Sequence, residues 1–490
     1  MPWRALVGVF YDDGLYTVLA RSLAEGHGYR MLHLPGAPSG IHYPPGYPFL
    51  LSLLWRLHPD FPANVGLFRA ANALLLGLAA GLLTAYLGER LGVQRRLVAL
   101  LVTAACTAVP MLAVATVLFS EPLFLVCLVL ACWAADAAHG AGPSRALALG
   151  LTAGLLAGAA ALTRSIGIAA LLGVVVALAL ARQPRAAIVA ALAGAASVTP
   201  WQGWVGRHHA EIDPLIAANY GSYGDFVGQG GMQLSPASLV SMARPLGAIA
   251  LPPVGPLRLL LAVPALVVLL AGIACLPRRA PALGVTLAAY LVVVMAWPYG
   301  PDRFLWAALP LLAAAFVVGA QLLWTMAVPE PRRRLPRGVA AIAVISVASG
   351  FAWYQAIGLA RGAATDAQRG ISDTMQPALE WVRGATDRAD VLASEDEALV
   401  WLYTGRRTVP NYLWQVRGRS AVDFGPDRLR EWLDTNGVRR VLLSGSGSDA
   451  APGIDALLGR YPGYLRVVVA RPGGFMAFAV QRSPLPPAAR

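Results

Sequence analysis

The sequence contains no lysine, so all 39 of its basic residues are arginine. Charged residues of both signs make up only 13% of the 490 residues, whereas hydrophobic residues make up 57%. This balance excludes an ordinary soluble globular chain and is typical of a membrane protein. The net charge of +13 would suggest a nucleic-acid surface in a soluble domain. Here the arginines cluster in short loops between apolar runs, where they indicate membrane orientation.

Cysteine is also rare. The four cysteines lie in apolar segments, and their spacing fits neither a disulfide framework nor a metal site, so we interpret them as packing residues. The long runs of Leu, Ala and Val have membrane-spanning length. We therefore predict a polytopic α-helical membrane protein with about ten spans, near 66–88, 97–116, 119–138, 146–162, 166–181, 186–205, 257–276, 283–298, 304–327 and 339–359.

The arginines also predict the orientation of the chain. A loop containing Arg90, Arg95 and Arg96 follows the first predicted span and should be cytoplasmic by the positive-inside rule. Alternation then places the acidic segment around Asp12 and the C-terminal region on the opposite face. We predict a multi-pass protein of the bacterial cytoplasmic membrane, with its site and its C-terminal domain on the extracytoplasmic side.

Three regions are predicted along the chain. Residues 1–64 hold a truncated first span and an external loop with amphipathic helices, and residues 65–360 form the transmembrane domain with an external loop at 206–253. Residues 361–490 have the composition of a soluble α/β domain. This domain shows no nucleophile elbow, phosphate loop or metal spacing, so we expect it to cover the site or hold an acceptor. Its predicted elements are a helix at 371–385, a strand at 390–394, a helix at 395–405, and strands at 438–445, 464–471 and 475–481.

The adjacent carboxylates Asp12 and Asp13 begin a short amphipathic helix in this apolar chain. Placing carboxylates near a bilayer costs free energy, so a functional role is expected for them. Outside the cytoplasm, nucleotide sugars are absent, and a sugar on a lipid phosphate is the natural activated donor. Its transfer needs a base, positive charge on the leaving phosphate and a groove for the lipid tail. Asp12 or Asp13 could be the base, and Arg164 and Arg303, at predicted span ends, could bind the phosphate.

Structural explanations compete with these roles. One aspartate of the pair could simply cap the helix that follows. Glu121 stands before a proline at a helix start, where a carboxylate suits the helix dipole. Arg164 could pair with Glu121 or extend toward the membrane interface. Asp302 and Arg303 could form a local ion pair at the start of a span.

Five motifs occur in order on the predicted outer side: DDGLYTVLARSLAEGHGY, HYPPGYPFLLSLLWRL, FSEPLF, LTRSIG and DRFLWAALP. Together they resemble the C-type (GT-C) glycosyltransferases, particularly the bacterial protein O-mannosyltransferases and lipid A aminoarabinose transferases of the family 39 type. The resemblance implies a GT-C fold, Asp12 as catalytic base and Asp13 as a second catalytic carboxylate that supports it. Tyr16 matches the tyrosine that follows the acidic pair. We expect Glu121 and Asp302 to be further supporting residues.

The sequence departs from that family in two places. The aminoarabinose transferases carry Lys-Pro-Pro where this chain has Tyr43, Pro44 and Pro45, preceded by His42. We therefore expect His42, Tyr43 or an arginine to contact the donor phosphate, although tyrosine is also a common interfacial anchor. The family also has a complete span before the acidic pair. We expect that span to be missing here, because the start codon was assigned too late or the chain is truncated.

These observations predict an inverting glycosyltransferase that moves a sugar from a polyprenyl-phosphate donor to a protein, lipid or polysaccharide acceptor outside the cytoplasm. The expected partners are the bilayer, the lipid-linked donor and that acceptor, without nucleic acid. We predict no cofactor and no metal site. The alternative class is a non-catalytic transporter or scaffold of cell-envelope glycan assembly. A transporter would place ionisable residues in mid-span. A scaffold would not need to gather carboxylates and arginines on one face.

Overall fold

The computed structural model describes residues 6–228, 232–248, 257–297, 300–326, 334–417, 420–444, 448–471 and 474–482. Several predicted positions therefore lie outside the described residues. They include 1–5 of the predicted truncated first span, 229–231 and 249–253 of the predicted external loop, 298, 327 and 445 at the ends of predicted elements, and the tail from 483 to 490.

Two helices form the N-terminal segment. Helix α1 spans Asp12–Ala24 and helix α2 spans Gly46–Leu57. The two helices pack against each other, and the loop between them closes with a bridge between Arg30 and Ser39. Nearly every residue in the first two turns of α1 is buried. The helix that carries the acidic pair is therefore an interior element rather than a surface one.

Apolar helices make up the middle of the chain. They are α3 (Val65–Arg90), α4 (Arg95–Cys106), α5 (Val109–Thr116), α6 (Glu121–Ala137), α7 (Pro143–Thr163), α8 (Ile168–Leu180) and α9 (Pro184–His208). After three short helices, α10 (Ala217–Tyr220), α11 (Tyr223–Gly228) and α12 (Pro236–Ala248), the series continues. It ends with α13 (Leu257–Cys275), α14 (Pro281–Ala296), α15 (Asp302–Ala307), α16 (Leu309–Thr325) and α17 (Arg334–Arg361).

Two of the predicted spans are broken. The span predicted at 97–116 consists of α4 and α5, which meet at 57°. The span predicted at 304–327 consists of α15 and α16. Each second helix carries a proline in its first turn, Pro110 in α5 and Pro310 in α16. Proline lacks the N–H that a continuing helix needs, so the chain restarts a helix at these positions.

The lengths of the helices agree with a membrane protein. Among the described residues, α3, α7 and α17 are each long and apolar enough to cross a bilayer, and α4 with α5 would make a fourth crossing. Shorter apolar helices occur at Ser165–Leu180, Ala262–Arg278, Pro281–Ala296 and Leu309–Thr325. The apolar helices therefore agree with the predicted membrane protein, while the count of about ten spans stays a prediction.

Glycines allow two of these helices to pack closely. A Cβ on Gly272 of α13 would lie 1.7 Å from the carbonyl oxygen of Ala315, and one on Gly319 of α16 would lie 1.9 Å from that of Val268. Such contacts leave no room for a side chain. Small residues at a helix interface are the usual means of association in a bilayer, where apolar burial gives no preference for protein over lipid.

Asp136 is buried at the end of α6. Its Oδ2 accepts a 2.6 Å hydrogen bond from the hydroxyl of Tyr86, and its Oδ1 accepts a 2.9 Å bond from the N–H of Ala282 at the start of α14. Arg90 donates to its backbone carbonyl at 2.7 Å. The carboxylate therefore joins α3, α6 and α14 and satisfies two groups that would otherwise be buried without partners.

We expect Asp136→Ala to destabilise the fold. The substitution leaves the Tyr86 hydroxyl and the Ala282 N–H unpaired, which should cost roughly 2 to 6 kcal/mol because each buried unsatisfied group costs about 1 to 3. The midpoint of thermal unfolding in detergent should fall clearly. Asp455→Ala, at an exposed position, is the matched control and should not shift the midpoint. Equal midpoints for both variants would contradict the bridging role.

The C-terminal region begins with α18 (Ala363–Ala385), followed by a small α/β domain. Its five-stranded sheet has the order β2-β1-β5-β7-β6, with parallel pairing of β1 to β2 and β5 and antiparallel pairing of β7 to β5 and β6. The bounds are β1 Val391–Ser394, β2 Thr408–Pro410, β5 Val438–Leu443, β6 Leu465–Ala470 and β7 Met476–Val480. Strands β3 (Trp414–Arg417) and β4 (Ser420–Asp423) form a separate ribbon, and helices α19 (Glu397–Thr404), α20 (Pro426–Thr435) and α21 (Ala451–Arg460) complete the domain. The predicted helices and strands of this region are confirmed, whereas β2, β3, β4, α20 and α21 were not predicted.

The N-terminal segment and the C-terminal domain share one hydrophobic core, separate from the main core of the apolar helices. A Cβ on Gly8 would lie 2.9 Å from Cβ of Leu399, and one on Gly14 would lie 3.0 Å from Cβ of Ala398. Helix α19 thus packs directly on the backbone around the acidic pair. The predicted regions 1–64 and 361–490 are far apart in sequence and pack together in space.

Candidate active site

Asp12, the first residue of α1, lines a cavity bordered by the ends of α7, α8, α14 and α15. The hydroxyl of Tyr43 donates a 2.5 Å hydrogen bond to its Oδ1. Nη2 of Arg303 lies 2.7 Å from its Oδ2. The side chain of Asp12 is 21% exposed, so a substrate hydroxyl can approach the carboxylate.

The surroundings of Asp12 keep it ionised. Burial alone would raise the pKa of its carboxyl group, because the charged form loses solvation. The positive charge of Arg303 and the hydrogen bond from Tyr43 act in the opposite direction and outweigh burial, so the pKa of Asp12 lies below its usual range. At neutral pH the side chain is therefore a carboxylate and can accept a proton.

Asp13 points in a different direction. Its side chain is fully buried and accepts hydrogen bonds from the N–H of Gly8 at 2.6 Å and the N–H of Phe10 at 3.0 Å. Burial raises the pKa of Asp13 to about 6, against the opposing effect of these bonds. Asp13 thus holds the turn that precedes α1, whereas Asp12 faces the cavity.

Two arginines meet at Glu121. Nη1 of Arg164 lies 2.7 Å from Oε1 of Glu121, and Nε of Arg303 lies 3.5 Å from the same oxygen. Glu121 is fully buried at the start of α6. Arg303 therefore bridges Asp12 and Glu121, and Glu121 holds both guanidinium groups at the cavity. The guanidinium carbon of Arg303 also lies 3.6 Å from the centroid of the Phe119 ring, a cation–π contact that limits its movement.

Tyrosines support the carboxylate and the arginines. The ring of Tyr16 packs edge-on against Tyr43 at 4.8 Å and against Tyr47 at 5.1 Å. Its hydroxyl lies 3.2 Å from Oγ of Ser120, which also accepts a hydrogen bond from Nη1 of Arg164 at 3.2 Å. Tyr16 thus fixes Tyr43, the partner of Asp12.

His42 lies in the same wall. Its Nδ1 is 2.7 Å from the carbonyl oxygen of Gly221, and its ring stacks on Tyr223 at 4.8 Å. A carbonyl can only accept, so Nδ1 carries the hydrogen. Burial lowers the pKa of His42. In the neutral imidazole Nε2 is an acceptor, which suits a sugar hydroxyl better than a phosphate.

The cavity has a volume of about 500 Å³ and is lined by both polar and apolar side chains. The charged and polar groups include Asp12, His42, Tyr43, Arg164 and Arg303. The apolar part of the wall includes Ile166, Ile168, Val293, Val294, Trp297 and Phe304. A ligand with an anionic, hydroxyl-bearing head and an apolar chain would match this combination.

Known structures share this architecture. ArnT from Cupriavidus metallidurans, a lipid A aminoarabinose transferase, matches in the apo state with a TM-score of 0.56 at 14% identity, over 95% of this chain and 92% of that chain. Its complex with undecaprenyl phosphate gives the same TM-score and identity, over 97% and 94%. The archaeal oligosaccharyltransferase AglB from Archaeoglobus fulgidus, in complex with an inhibitory peptide and a dolichol-phosphate, matches with a TM-score of 0.52 at 13% identity, over 99% and 71%.

The chain has the GT-C fold. The resemblance predicted from the sequence motifs is thereby confirmed at the level of the fold. No family model matches the chain, and a search of curated proteins found no match. At 13–14% identity the likeness extends to architecture, and the roles of individual residues have to be argued from the geometry of this chain.

Within the GT-C fold, most of the predicted site residues come together. Those that line the cavity are Asp12, Tyr16, His42, Tyr43, Arg164 and Arg303. Glu121 lies behind the two arginines. Asp302 is exposed at the start of α15, and its neighbour Arg303 pairs with Asp12 and Glu121 rather than with it. The supporting role of Asp302 stays a prediction.

Two further residues of the site lie outside the motifs. Tyr223 stacks on His42, and Trp297 lines the cavity. Phe119, the first residue of the FSEPLF motif, packs under Arg303, a contact that the motif did not predict. Tyr223 begins α11 in a glycine- and tyrosine-rich segment far along the chain, and nothing in its spacing relates it to His42. Among the described residues, no group of three or more His, Cys, Asp or Glu side chains could hold a metal ion. The prediction that no metal is needed stays a prediction.

Proposed function

We propose that this chain is an inverting membrane glycosyltransferase that transfers one sugar from a polyprenyl-phosphate donor to a hydroxyl-bearing acceptor. One observation carries the proposal. An ionised carboxylate and two guanidinium groups converge in a cavity that is also lined by several apolar side chains. The reaction needs this combination of a base, a phosphate site and space for a lipid.

The mechanism would be a single displacement. Asp12 takes the proton of the acceptor hydroxyl while the acceptor oxygen bonds to the anomeric carbon. The bond from that carbon to the phosphate oxygen breaks, and the configuration at the carbon inverts. The leaving polyprenyl phosphate gains negative charge, which Arg303 and Arg164 stabilise through charge-assisted hydrogen bonds. Tyr43 orients Asp12 throughout.

The lipid tail would follow apolar surface next to the cavity. A groove of about 480 Å³ is lined by Leu23, Tyr29, Phe49, Leu162, Trp201 and Trp204. Pro44 and Thr163 line the cavity, and the residues next to them in sequence, Pro45 and Leu162, line the groove. The two spaces are therefore neighbours. ArnT in complex with undecaprenyl phosphate and AglB in complex with dolichol-phosphate are consistent with a polyprenyl ligand for this architecture.

The arginine distribution supports a location for this activity in the bacterial cytoplasmic membrane, with the site on its outer side. The C-terminal domain would then be extracytoplasmic, because it shares a core with the segment that carries Asp12. An acceptor protein, lipid or polysaccharide would approach from that side.

A transporter or scaffold is less well supported. Asp136 is the most obvious acid in an apolar segment, and a transporter could use such a group. Here Tyr86 and Ala282 occupy both of its carboxylate oxygens, which is a structural use. The residues at the cavity form an arrangement suited to chemistry, which a scaffold does not need.

The proposal is tested by supplying reconstituted protein in nanodiscs with a panel of radiolabelled polyprenyl-phosphate sugars. We expect one donor to be consumed, with the sugar appearing on a product of inverted anomeric configuration. If the folded wild-type protein turns over no donor in the presence of membrane and cell-wall extracts as acceptor sources, the non-catalytic class is favoured instead.

Removal of the Tyr43 hydroxyl should change the pH dependence of the reaction. The hydrogen bond from Tyr43 lowers the pKa of Asp12, so Tyr43→Phe should raise that pKa. The acidic limb of the pH profile of kcat/KM should then move to higher pH, because a base is inactive below its pKa. Tyr461→Phe, which removes a hydroxyl bonded to Asp427 on the C-terminal domain, is the control. An unchanged acidic limb in Tyr43→Phe would show that this bond does not tune the base.

A further inference from the structure

The residue before Asp12 has an unusual backbone conformation. Tyr11 has φ 64° and ψ −67°, and the N–H of Asp12 donates a 2.7 Å hydrogen bond to the carbonyl oxygen of Phe10. These features define a γ-turn with positive φ, a rare and strained form. Strain of this kind costs of order 1 to 3 kcal/mol and persists only where the surroundings enforce it.

This turn determines where the Asp12 carboxylate lies. It ends at the backbone of Asp12 itself, so relaxation of Tyr11 would move the carboxylate away from Tyr43 and Arg303. A displacement of about 1 Å in a reacting group can cost roughly 100-fold in rate. The groups that enforce the turn therefore bear on catalysis even without touching a substrate.

Some of the contacts that hold the strained turn at Tyr11 come from neighbouring residues. Asp13 binds the N–H groups of Gly8 and Phe10 and thereby pulls the chain into the turn from the far side. The C-terminal region holds the residues just before it, because the N–H of Val7 donates to the hydroxyl of Tyr403 at 3.0 Å and the N–H of Leu6 donates to Oγ of Ser372 at 2.8 Å.

The turn at Tyr11 is also held by a buried polar cluster that packs against the Tyr11 ring. Tyr220 packs edge-on against Tyr11, with ring centroids 6.1 Å apart. Its hydroxyl donates to Oε1 of Glu397 and lies 2.9 Å from Nε2 of His33. His33, Tyr220 and Glu397 are all at most 1% exposed. They come from the loop after α1, from the segment after α9 and from the C-terminal domain, so one cluster ties three separate parts of the chain to the turn.

We propose that Glu397 and Tyr220 are positioning residues through which the C-terminal domain holds Tyr11 in its strained turn and so aims Asp12. This gives the domain a part in catalysis beyond covering the site or holding an acceptor. The proposal rests on the proposed glycosyltransferase function for its kinetic consequence. The bracing of the turn can be measured without any activity.

Two substitutions of Glu397, by glutamine and by leucine, separate its hydrogen bond from its volume. Burial raises the pKa of Glu397 to about 8, so the side chain is mostly protonated at neutral pH. Glutamine then reproduces its shape, its charge and an oxygen that accepts from Tyr220, whereas leucine keeps the volume and removes the acceptor. Tyr220→Phe removes only the hydroxyl. Tyr461→Phe and Glu431→Gln, both at surface pairs of the same domain, are the matched controls.

The kinetic test compares these variants with the wild type in the donor-transfer assay. We expect Glu397→Leu to lower kcat by roughly 10- to 100-fold with the donor KM nearly unchanged, because binding groups stay in place. Tyr220→Phe should lower kcat by about 10-fold, as the loss of one buried hydrogen bond predicts. Glu397→Gln should restore most of the wild-type kcat. If Glu397→Leu or Tyr220→Phe is folded and has the kcat of the controls, the positioning role is wrong.

The structural test uses hydrogen exchange of the peptide covering residues 6–14. Its N–H groups at Gly8, Phe10 and Asp12 are all bonded within the turn. Exchange should accelerate in Glu397→Leu and Tyr220→Phe when each variant is measured at the same distance below its own unfolding midpoint, and not in Glu397→Gln or the controls. Unchanged exchange in both variants overturns the brace. Faster exchange in a protein that transfers no sugar would support the brace and count against the proposed function alone. If Glu397→Leu does not fold, Tyr220→Phe decides the result.

Discussion

Asp12→Asn should abolish sugar transfer while the protein still folds. Asparagine keeps the oxygen that accepts from Tyr43, so the packing at the head of α1 is preserved. It cannot take a proton from the acceptor. Loss of a positioned general base typically costs 100- to 10,000-fold in rate. We expect kcat to fall within that range or below detection, with the affinity for the lipid-phosphate donor retained.

The control for Asp12→Asn is Asp60→Asn, the same change at an exposed position in the same segment. Asp13→Asn is a second comparison. It should weaken the hydrogen bonds to Gly8 and Phe10 and so lower both the unfolding midpoint and the activity. Wild-type transfer rates in a folded Asp12→Asn protein would rule out Asp12 as the base and remove the central support of the proposed mechanism.

Arg303→Gln should have the second largest effect. Arg303 is the guanidinium that contacts both Asp12 and Glu121, and it is the cation best placed for the leaving phosphate. Removal of a group that stabilises charge developing in the transition state typically costs 100- to 1,000-fold in kcat. The variant should also bind free polyprenyl phosphate more weakly. The loss of positive charge should in addition raise the pKa of Asp12 and move the acidic limb of kcat/KM to higher pH.

Arg303→Lys separates charge from geometry. Lysine keeps the charge but lacks the planar fork that holds two oxygens at once, so it should recover only part of the lost rate. Arg428→Gln, at an exposed ion pair of the C-terminal domain, is the control. Equal product inhibition by polyprenyl phosphate in wild type and Arg303→Gln would show that the phosphate binds elsewhere.

The local sequence was sufficient to predict most of the helices and to identify the main residues of the candidate site. Apolar runs predicted α3 and α7 to within a few residues, because an apolar stretch of spanning length has few alternatives to a helix. The acidic pair, the two arginines and the YPP segment were recognisable because each departs from an apolar background. The prolines that break two predicted spans were also visible, but proline is frequent near helix starts, and its presence did not say which helices would bend.

The assignment of roles was less predictable. The sequence left His42, Tyr43 or an arginine as the contact to the donor phosphate, and that contact stays a prediction. The bond from the Tyr43 hydroxyl to Asp12 was not predicted. Asp302 and Arg303 are neighbours in sequence, and only Arg303 reaches the cavity. In each case the direction of a side chain depends on partners from other helices, and such partners leave no trace in local spacing.

By itself, the sequence determined a chain of apolar helices with a small α/β domain and an acidic pair at the head of an amphipathic helix, because hydrophobic length and periodicity act locally. Only the tertiary structure decided that Asp12 faces the cavity while Asp13 holds the turn, and that Glu121 gathers Arg164 and Arg303. It also brought α19 against the turn at Tyr11. Apart from the local bonds of Asp13 to Gly8 and Phe10, these arrangements depend on contacts between residues tens to hundreds of positions apart, which are set by how the helices pack.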